Sequence, residues 1–459
     1  MKEKLNLKFA LSCLFAFAVF CLPLSAAYND WGIPDSSEIR SKLSERWFLA
    51  PLSDVRANLP EIYVNSAGQR FQVRLEETDE TFAIFVAPST KITVNVYTSK
   101  GVTKEEQETF PGDIAGSWVL IRNKQTEKPE LIRYYFMPDS EVYVQFSPYA
   151  KTSLADFVVF GNYAAKGVST GIPFTKFYAA SFQKIREFTQ TSLPWNYVTI
   201  PENSYASILQ MAGMIQSKLP LISYVYEAMY DENDKLISIK DGNPLQLEDE
   251  RTLCLGSAGF VKWIADGLVE PVAGSKLRRA PLVQKTVEIK ENGYQGVLSQ
   301  KYSLYFALDW IRNAASAVMS VYTGKDYLFD ESGVDVTVSP FAASVTSAGT
   351  ANAVTFVEEN GYQVKLLKSL LYVLASTEPD TLYFGAIRGT DRTVTPEIKS
   401  FNECVVFLPY FTDTKRFSCY VFMNGHQMTL EDFCMIYAED FVYLTRVRAY
   451  STFFPEPND

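Results

Sequence analysis

The chain has 459 residues, and 53 acidic side chains outnumber 43 basic ones to give a formal net charge of −10 at pH 7. This acidic balance argues against a partner that is nucleic acid or an anionic membrane surface. A hydrophobic content of 47% with 21% charged residues indicates a folded core rather than intrinsic disorder. The single histidine, His426, nearly excludes a metal site built on imidazoles, so we expect neither a metal nor a cofactor.

Residues 1–27 have the layout of a cleavable secretory signal peptide. Three lysines precede an uncharged apolar run at 9–24, and small residues follow it up to Ala27. The run is shorter than the ~20 residues that a membrane-spanning helix needs, and no later stretch is longer. We therefore expect export to the periplasm or the cell exterior, with no transmembrane segment after cleavage. Lipidation at Cys21 is disfavoured because the bulky Phe20 precedes it.

The next part of the chain predicts mainly β structure. Residues 28–60 read as a partly helical lead-in that is interrupted by prolines. Residues 61–165 then alternate apolar and polar side chains in several short segments, which are separated by turns rich in Pro, Gly and Asp. Seven or eight strands at this spacing predict an antiparallel β-sandwich.

Residues 170–455 predict an α+β domain with inserted helices. Apolar spacing indicates helices at 174–189, 257–268, 302–322 and 364–376, with Gly267 expected to end the second of them. Strands follow at 382–387, 404–411, 417–422 and 441–450, with a short helix between the last two. Helices followed by mostly antiparallel strands are typical of the α+β class.

Four cysteines follow the signal peptide, namely Cys254, Cys404, Cys419 and Cys434. In an exported protein they can form disulfides, and Cys404 and Cys419 lie on the two strands of a predicted hairpin. The sequence does not fix the register of that hairpin, so the pairing stays open. Their spacing matches no zinc site.

The run Ser257-Ala258-Gly259-Phe260-Val261 opens one of the predicted helices. Together with the order of elements that follows, it makes residues 205–450 resemble the NlpC/P60 family of papain-like cell-wall cysteine peptidases. The resemblance implies a papain-like α+β fold, a nucleophilic cysteine at the helix start and a histidine at the start of a later strand.

The chain departs from that family at the catalytic positions. Ser257 stands at the position of the family's cysteine, and Glu403 or Cys404 stands at the position of its histidine. Cys254 comes three residues before Ser257, and His426 follows the second strand of the hairpin. A papain-like nucleophile is a thiolate beside an imidazolium, whereas serine is far less acidic and a carboxylate acts as a base only with a raised pKa.

The candidate catalytic residues are therefore Ser257, Cys254, His426 and Glu403, and each has a plainer interpretation. These are, in the same order, a helix cap, a buried or disulfide-bonded cysteine, a solvated turn histidine and a carboxylate at a strand edge.

Three functions remain open. The resemblance with substituted catalytic residues implies an exported protein that binds peptidoglycan peptides or an envelope partner without cleaving them. An active peptidase or amidase would instead use Cys254 with His426, or Ser257 with another base. A third possibility is a secreted protein that interacts with its partner through the sandwich at 61–165.

Overall fold

A computed structural model describes residues 32–98, 101–246, 253–287, 304–346, 349–352, 355–391 and 397–456. The predicted signal peptide, 1–27, lies outside these residues. The chain divides into two compact units. Unit 1 comprises Met1–Phe157 and Gly167–Leu193, and unit 2 comprises Val158–Lys166 and Pro194–Asp459.

Unit 1 is built on one eight-stranded sheet in which strands adjacent in the sheet follow one another along the chain, in the order β1-β2-β3-β6-β7-β8-β9-β10. The strands are β1 Glu61–Val64, β2 Arg70–Glu77, β3 Thr81–Pro88, β6 Trp118–Asn123, β7 Pro129–Tyr135, β8 Val142–Tyr149, β9 Thr152–Val159 and β10 Asn162–Ser169. Between β3 and β6, β4 Thr90–Thr98 and β5 Gly101–Thr109 form a separate two-stranded hairpin.

The prediction of two packed sheets differs from this single sheet. The hydrogen-bonded ladder continues from β3 into β6, where Ile84 pairs with Leu120. Alternation of apolar and polar residues indicates only that one face of each strand is buried. It does not show whether a second sheet or other elements cover that face.

Helices supply part of the apolar core of unit 1. They are α1 Ser37–Leu43, which continues into a π-helical turn Ser44–Phe48, α2 Leu52–Arg56, the 3₁₀ turn Phe174–Tyr178 and α3 Phe182–Thr189. Trp47 and Phe48 of the π-helical turn are buried, and the Phe48 ring lies 4.7 Å from that of Trp118 on β6. The lead-in segment is therefore part of the core of unit 1.

Unit 2 contains a six-stranded sheet in the order β17-β22-β18-β19-β20-β21 and three two-stranded sheets. Its strands are β11 Ile222–Tyr224, β12 Ala228–Tyr230, β13 Leu236–Ser238, β14 Leu253–Leu255, β15 Ala343–Thr346, β16 Gly349–Asn352, β17 Tyr362–Gln363, β18 Thr381–Asp391, β19 Ile398–Phe411, β20 Phe417–Met423, β21 His426–Met428 and β22 Phe441–Arg448. Its helices are α4 Ala206–Lys218, α5 Ser257–Ala273, α6 Arg279–Leu282, α7 Phe306–Thr323, α8 Phe329–Ser332, α9 Leu367–Thr377 and α10 Leu430–Ile436, with 3₁₀ turns at Trp195–Val198, Leu219–Leu221 and Val364–Leu366. The predicted α+β class is confirmed.

Helices α5 and α7 pack together and form much of the core of unit 2. The indole Nε1 of Trp310 donates to the carbonyl of Ala258 at 2.8 Å, and the hydroxyl of Thr445 on β22 donates to the carbonyl of Ile311 at 3.3 Å. Helix α5 is buried from Ala258 to Val269. Helix α7 thereby contacts both α5 and the large sheet, and α5 also packs against β19 of that sheet.

Helix α5 does not end at Gly267, contrary to the sequence prediction. It continues to Ala273 and ends at Gly274, which has the left-handed φ of 69° expected of a C-terminal glycine. Gly267 is needed for close packing instead, because a Cβ there would lie 2.8 Å from the Phe453 ring.

The sheet register excludes a disulfide between Cys404 and Cys419. Cys419 on β20 pairs with Pro409, whereas Cys404 lies five residues before Pro409 on the same strand. Five residues of strand span ~17 Å, and a disulfide needs Cα atoms within ~7 Å. All four cysteines that follow the predicted signal peptide lie in described segments, and none forms a disulfide.

A segment of the chain between two strands of unit 1 belongs to unit 2. Residues 158–166, which include the turn between β9 and β10, contact unit 2 residues. Asn162 Nδ2 donates to Ser369 Oγ at 2.7 Å, and the Phe160 ring lies 5.6 Å from that of Tyr372. Neither unit is therefore a continuous stretch of sequence.

No helix within the described ranges is both long and apolar enough to cross a membrane.

Candidate functional site

Ser257 is the first residue of α5, and its side chain is half-buried. Gly256 occupies the N-cap position, and no side chain caps the helix. The Gly256 amide donates instead to the carbonyl of Ala228 at 2.8 Å. The helix start is thus fixed by a backbone hydrogen bond to the first residue of β12, and the predicted capping role of Ser257 is not observed.

Cys254 lies in the middle of β14, where it pairs in parallel with Ser223 of β11, and it is only 3% exposed. Its backbone amide lies 3.5 Å from the Tyr230 hydroxyl. Its burial limits access of a substrate to the sulfur.

Strand β11 connects the start of α5 with the β20–β21 turn. Tyr224 at the end of β11 pairs with Leu255, two residues before Ser257. At the start of β11, Ile222 lies so close to Gly425 in the turn that a Cβ on Gly425 would approach its side chain to 2.6 Å. Strand β11 therefore lies between the start of α5 and the β20–β21 turn.

Glu403 is the most unusual acidic group in this region. It lies on β19 opposite Ile387, it is half-buried, and its Oε2 accepts a hydrogen bond from the Tyr437 hydroxyl at 3.3 Å. Burial raises the pKa of the Glu403 carboxyl, and the charge of Asp440 adds to this, while the Tyr437 hydrogen bond opposes it. No lysine or arginine among the described residues pairs with Glu403.

Two tyrosines interact electrostatically with Glu403. Burial raises the pKa of the Tyr437 phenol above its usual value, and the nearby Glu403 charge raises it further. Burial also raises the pKa of Tyr224, again with a contribution from Glu403. The two phenols therefore stay protonated near neutral pH, and both lie within electrostatic range of the Glu403 carboxyl.

Cys404 and His426 are not part of this cluster. Cys404 is buried, and burial raises the pKa of its thiol far above the usual range. His426 is exposed at the start of β21, where it pairs with Met423. Within the described part of the chain, its imidazole makes no hydrogen bond or ion pair. Catalytic roles for Ser257, Cys254, His426 and Glu403 stay predictions.

Sequence reasoning missed Tyr224 and Tyr437. The sequence offers only a tyrosine in a three-residue strand and a tyrosine just after a short helix, and neither pattern indicates a carboxylate partner. Tyr437 and Glu403 are 34 residues apart in the chain, so only the fold brings them together.

A cavity of about 220 Å³ lies along another part of α5. Gly259, Lys262, Trp263, Asp266 and Glu270 line it from the helix, at the spacing of three or four residues that places side chains on one face. Lys262 and Asp266 are both buried, and Lys262 Nζ lies 2.6 Å from Asp266 Oδ2. Neither in this cavity nor elsewhere among the described residues is a group of three or more His, Cys, Asp or Glu side chains arranged to hold a metal ion.

Comparison with known proteins assigns only the first part of the chain. Residues 29–197 match the profile of a domain of unknown function, DUF8515. No curated protein and no solved structure matches the chain. The match ends close to Leu193, the last residue of unit 1, so it covers unit 1 and includes neither α5 nor the six-stranded sheet.

The predicted resemblance to the NlpC/P60 family is wrong, since the family match lies elsewhere and no NlpC/P60 match exists. Packing explains why the run at 257–261 resembles that motif. Position 259 requires a glycine because a Cβ there would lie 2.2 Å from the carbonyl oxygen of Ala228. Phe260 and Val261 are apolar because they are buried. Any buried helix that starts against a backbone segment has similar requirements, so these residue types do not identify a peptidase.

Proposed function

We propose that this chain is an exported binding protein that holds the amino group of an envelope peptide at Glu403, between Tyr224 and Tyr437, without cleaving the peptide. The observation that carries the proposal is the half-buried Glu403 carboxyl, which has a phenol as hydrogen-bond donor and no cationic partner among the described residues.

Electrostatics favour a cation at this position. A carboxylate removed from water loses hydration energy, and only a nearby positive charge or several hydrogen bonds offset that loss. One phenol supplies a single hydrogen bond. An incoming ammonium group would supply the missing positive charge.

The surroundings favour a peptide as the carrier of that cation. Tyr224 is 45% exposed, Tyr226 is 68% exposed, and Ile436 next to Tyr437 is 62% exposed. Large aromatic and apolar side chains on a surface are typical of interfaces with peptides and proteins. Cell-wall stem peptides carry free amino groups on short apolar side chains, which fits both features.

Binding without cleavage is supported by the state of the nucleophiles. Hydrolysis needs a nucleophile within hydrogen-bond reach of its base, and no such bond joins Ser257 to Glu403 or His426 in the described structure. The thiols of Cys254 and Cys404 are buried.

Isothermal titration calorimetry of the chain from residue 28 tests this proposal. The probe is a stem pentapeptide that contains lysine and has an acetylated N-terminus, and its matched control is the same peptide with the lysine amine also acetylated. We expect binding of the free amine only, at least tenfold weaker affinity in Glu403→Gln, and no change in Glu331→Gln, which alters an exposed carboxylate on α8.

Two results would overturn the proposal. Equal binding of the acetylated peptide would mean that Glu403 does not recognise a cation. Fragments of the pentapeptide in mass spectra, lost in Ser257→Ala, would mean that the chain is a peptidase.

A second candidate function, interaction with an envelope protein through unit 1, is favoured by the β4–β5 hairpin. Its two strands pair only with each other among the described strands, and Ile92, Tyr97 and Val102 are exposed. An unsupported hairpin is marginally stable in water and has free edges to which a partner strand can add. Hydrogen exchange should be fast in 90–109 and slow down with an envelope extract, and Tyr97→Ser with Val102→Ser should remove that protection.

A further inference from the structure

The cavity on α5 has apolar walls and a charged floor. Leu253 and Leu255 of β14 contribute apolar surface, together with the rings of Tyr230 and Trp263. Its volume of about 220 Å³ far exceeds the ~10–15 Å³ that one water molecule needs. The space therefore admits a small organic molecule.

The end of the described chain closes one side of this cavity. Trp263 Nε1 donates to the carbonyl of Glu456 at 2.6 Å, and the Phe454 amide donates to the carbonyl of Gly267 at 2.8 Å. The Glu456 side chain also lines the cavity and forms an ion pair with Lys276. Two hydrogen bonds and one ion pair thus hold this wall in place.

The charged groups of the cavity do not balance. Lys262 is neutralised by Asp266, and Lys276 forms ion pairs with both Asp234 and Glu456. Glu270 also lines the cavity and has no ion-pair partner among the described residues. Two lysines and four carboxylates therefore leave an excess of two negative charges when all are ionised.

Burial makes that excess costly. Burial raises the pKa of the Asp266 carboxyl and the pKa of the Glu270 carboxyl. The negative charges of the neighbouring carboxylates raise the pKa of Glu270 further. A cation inside the cavity would favour the ionised forms, whereas an anion would oppose them. The apolar walls would at the same time cover a short hydrocarbon body.

From these observations we infer that the α5 cavity binds a small organic cation, a primary ammonium group on a short apolar chain, with Glu270 as the main contact for its charge. This site is separate from the one proposed at Glu403 and does not depend on it.

Fluorescence and calorimetry with a matched set of probes test the inference. The probes are n-pentylamine, n-pentanol and pentanoate, which share a hydrocarbon chain and differ in charge. We expect n-pentylamine to change the Trp263 emission in a saturable way and to bind at least fivefold more weakly to Glu270→Gln. Glu331→Gln, an exposed carboxylate on α8, should bind as the parent chain does.

Further variants separate this site from the other one. Trp263→Phe should remove the fluorescence change, and the calorimetric heat of binding should remain. The Trp263 emission reports on the α5 cavity, which Trp263 lines, so failure of the peptide proposal at Glu403 would not imply failure here. Equal affinity for n-pentanol and n-pentylamine, or unchanged affinity in Glu270→Gln, would overturn the inference.

Discussion

Arg40 Nη1 lies 3.1 Å from the hydroxyl of Tyr134, a residue 94 positions later in the chain, and both side chains are fully buried. The same guanidinium donates to the carbonyls of Tyr178 and Ala180 at 3.0 and 2.8 Å, and it lies 5.3 Å from the centre of the Trp118 ring. One cation thereby joins α1, β7 and the segment that precedes α3. Loss of that cation should loosen all three together.

Arg40→Met should destabilise the chain by about 3 kcal/mol or more, because it leaves buried carbonyl groups without donors. Denaturation by guanidinium chloride measures this loss. The control is Arg46→Met, which removes an exposed arginine paired with Glu61 and should cost at most about 1 kcal/mol. Similar losses in both variants would contradict the assigned role of Arg40.

Asp266→Ala should destabilise the chain by about 3–5 kcal/mol, because it leaves the buried Lys262 ammonium without its counter-charge. The double variant Lys262→Met, Asp266→Leu removes both charges and should recover most of that loss. Full recovery is not expected, since Asp266 Oδ1 also accepts a hydrogen bond from the Leu277 amide at 2.8 Å. Urea denaturation of the three proteins measures the difference, and a double variant as unstable as the single one would refute this explanation.

Gly259→Ala and Gly213→Ala should change stability in opposite directions, although both glycines lie within helices. A Cβ at Gly259 would lie 2.2 Å from the backbone oxygen of Ala228, so we expect a loss of about 2 kcal/mol or more. Nothing lies within 4 Å of a Cβ at Gly213, where alanine should stabilise the helix by ~0.5–1 kcal/mol. Melting temperatures measure both effects, and a stabilising Gly259→Ala would show that the contact can relax.

Glu403→Gln should raise the melting temperature at pH 7 and have less effect as the pH approaches 4. Burial raises the folded-state pKa of Glu403, so the folded chain holds this proton more tightly than the unfolded chain does. The stabilisation from that proton is complete below the unfolded pKa and is lost as the pH rises through the folded pKa. Glutamine keeps a hydrogen-bond acceptor for Tyr437 and carries no charge at any pH. The variant therefore avoids the loss of stability that ionisation of Glu403 causes at pH 7.

Glu77→Gln provides a control of opposite sign. Hydrogen bonds from Arg56 and Lys124 lower the pKa of Glu77 to about 2. Its stabilisation is therefore present above the unfolded pKa and is lost as the pH falls towards 2. Glu77→Gln should be slightly less stable than the parent at pH 7, and the difference should disappear in acid. Melting curves from pH 2 to 7 compare the two variants, and parallel curves for Glu403→Gln and the parent would contradict its raised pKa.

Local patterns predicted many elements, because helix and strand periodicity follow from which side chains are buried nearby. The helix predicted at 302–322 is observed as Phe306–Thr323, and the strand predicted at 417–422 is observed as Phe417–Met423. The continuation of α5 past Gly267 could not be predicted, because the side chain that requires a glycine there comes from Phe453.

The candidate sites were less predictable from the sequence than the helices and strands. Glu403 was identified as a candidate, but its partner Tyr437 depends on where α10 packs. The charged partners in the α5 cavity are even farther apart in the sequence. Lys276 pairs with Asp234, 42 residues away, and with Glu456, 180 residues away. Such contacts depend on tertiary packing, and local sequence patterns do not reveal which distant residues will meet.

The turn between β9 and β10 has a consequence for how this protein could have evolved. Because residues 158–166 belong with unit 2 and the strands on either side continue into unit 1, the chain changes unit three times. An end-to-end fusion of two genes would therefore not have been enough to create this arrangement, because the turn at 158–166 also had to become packed with the later part of the chain.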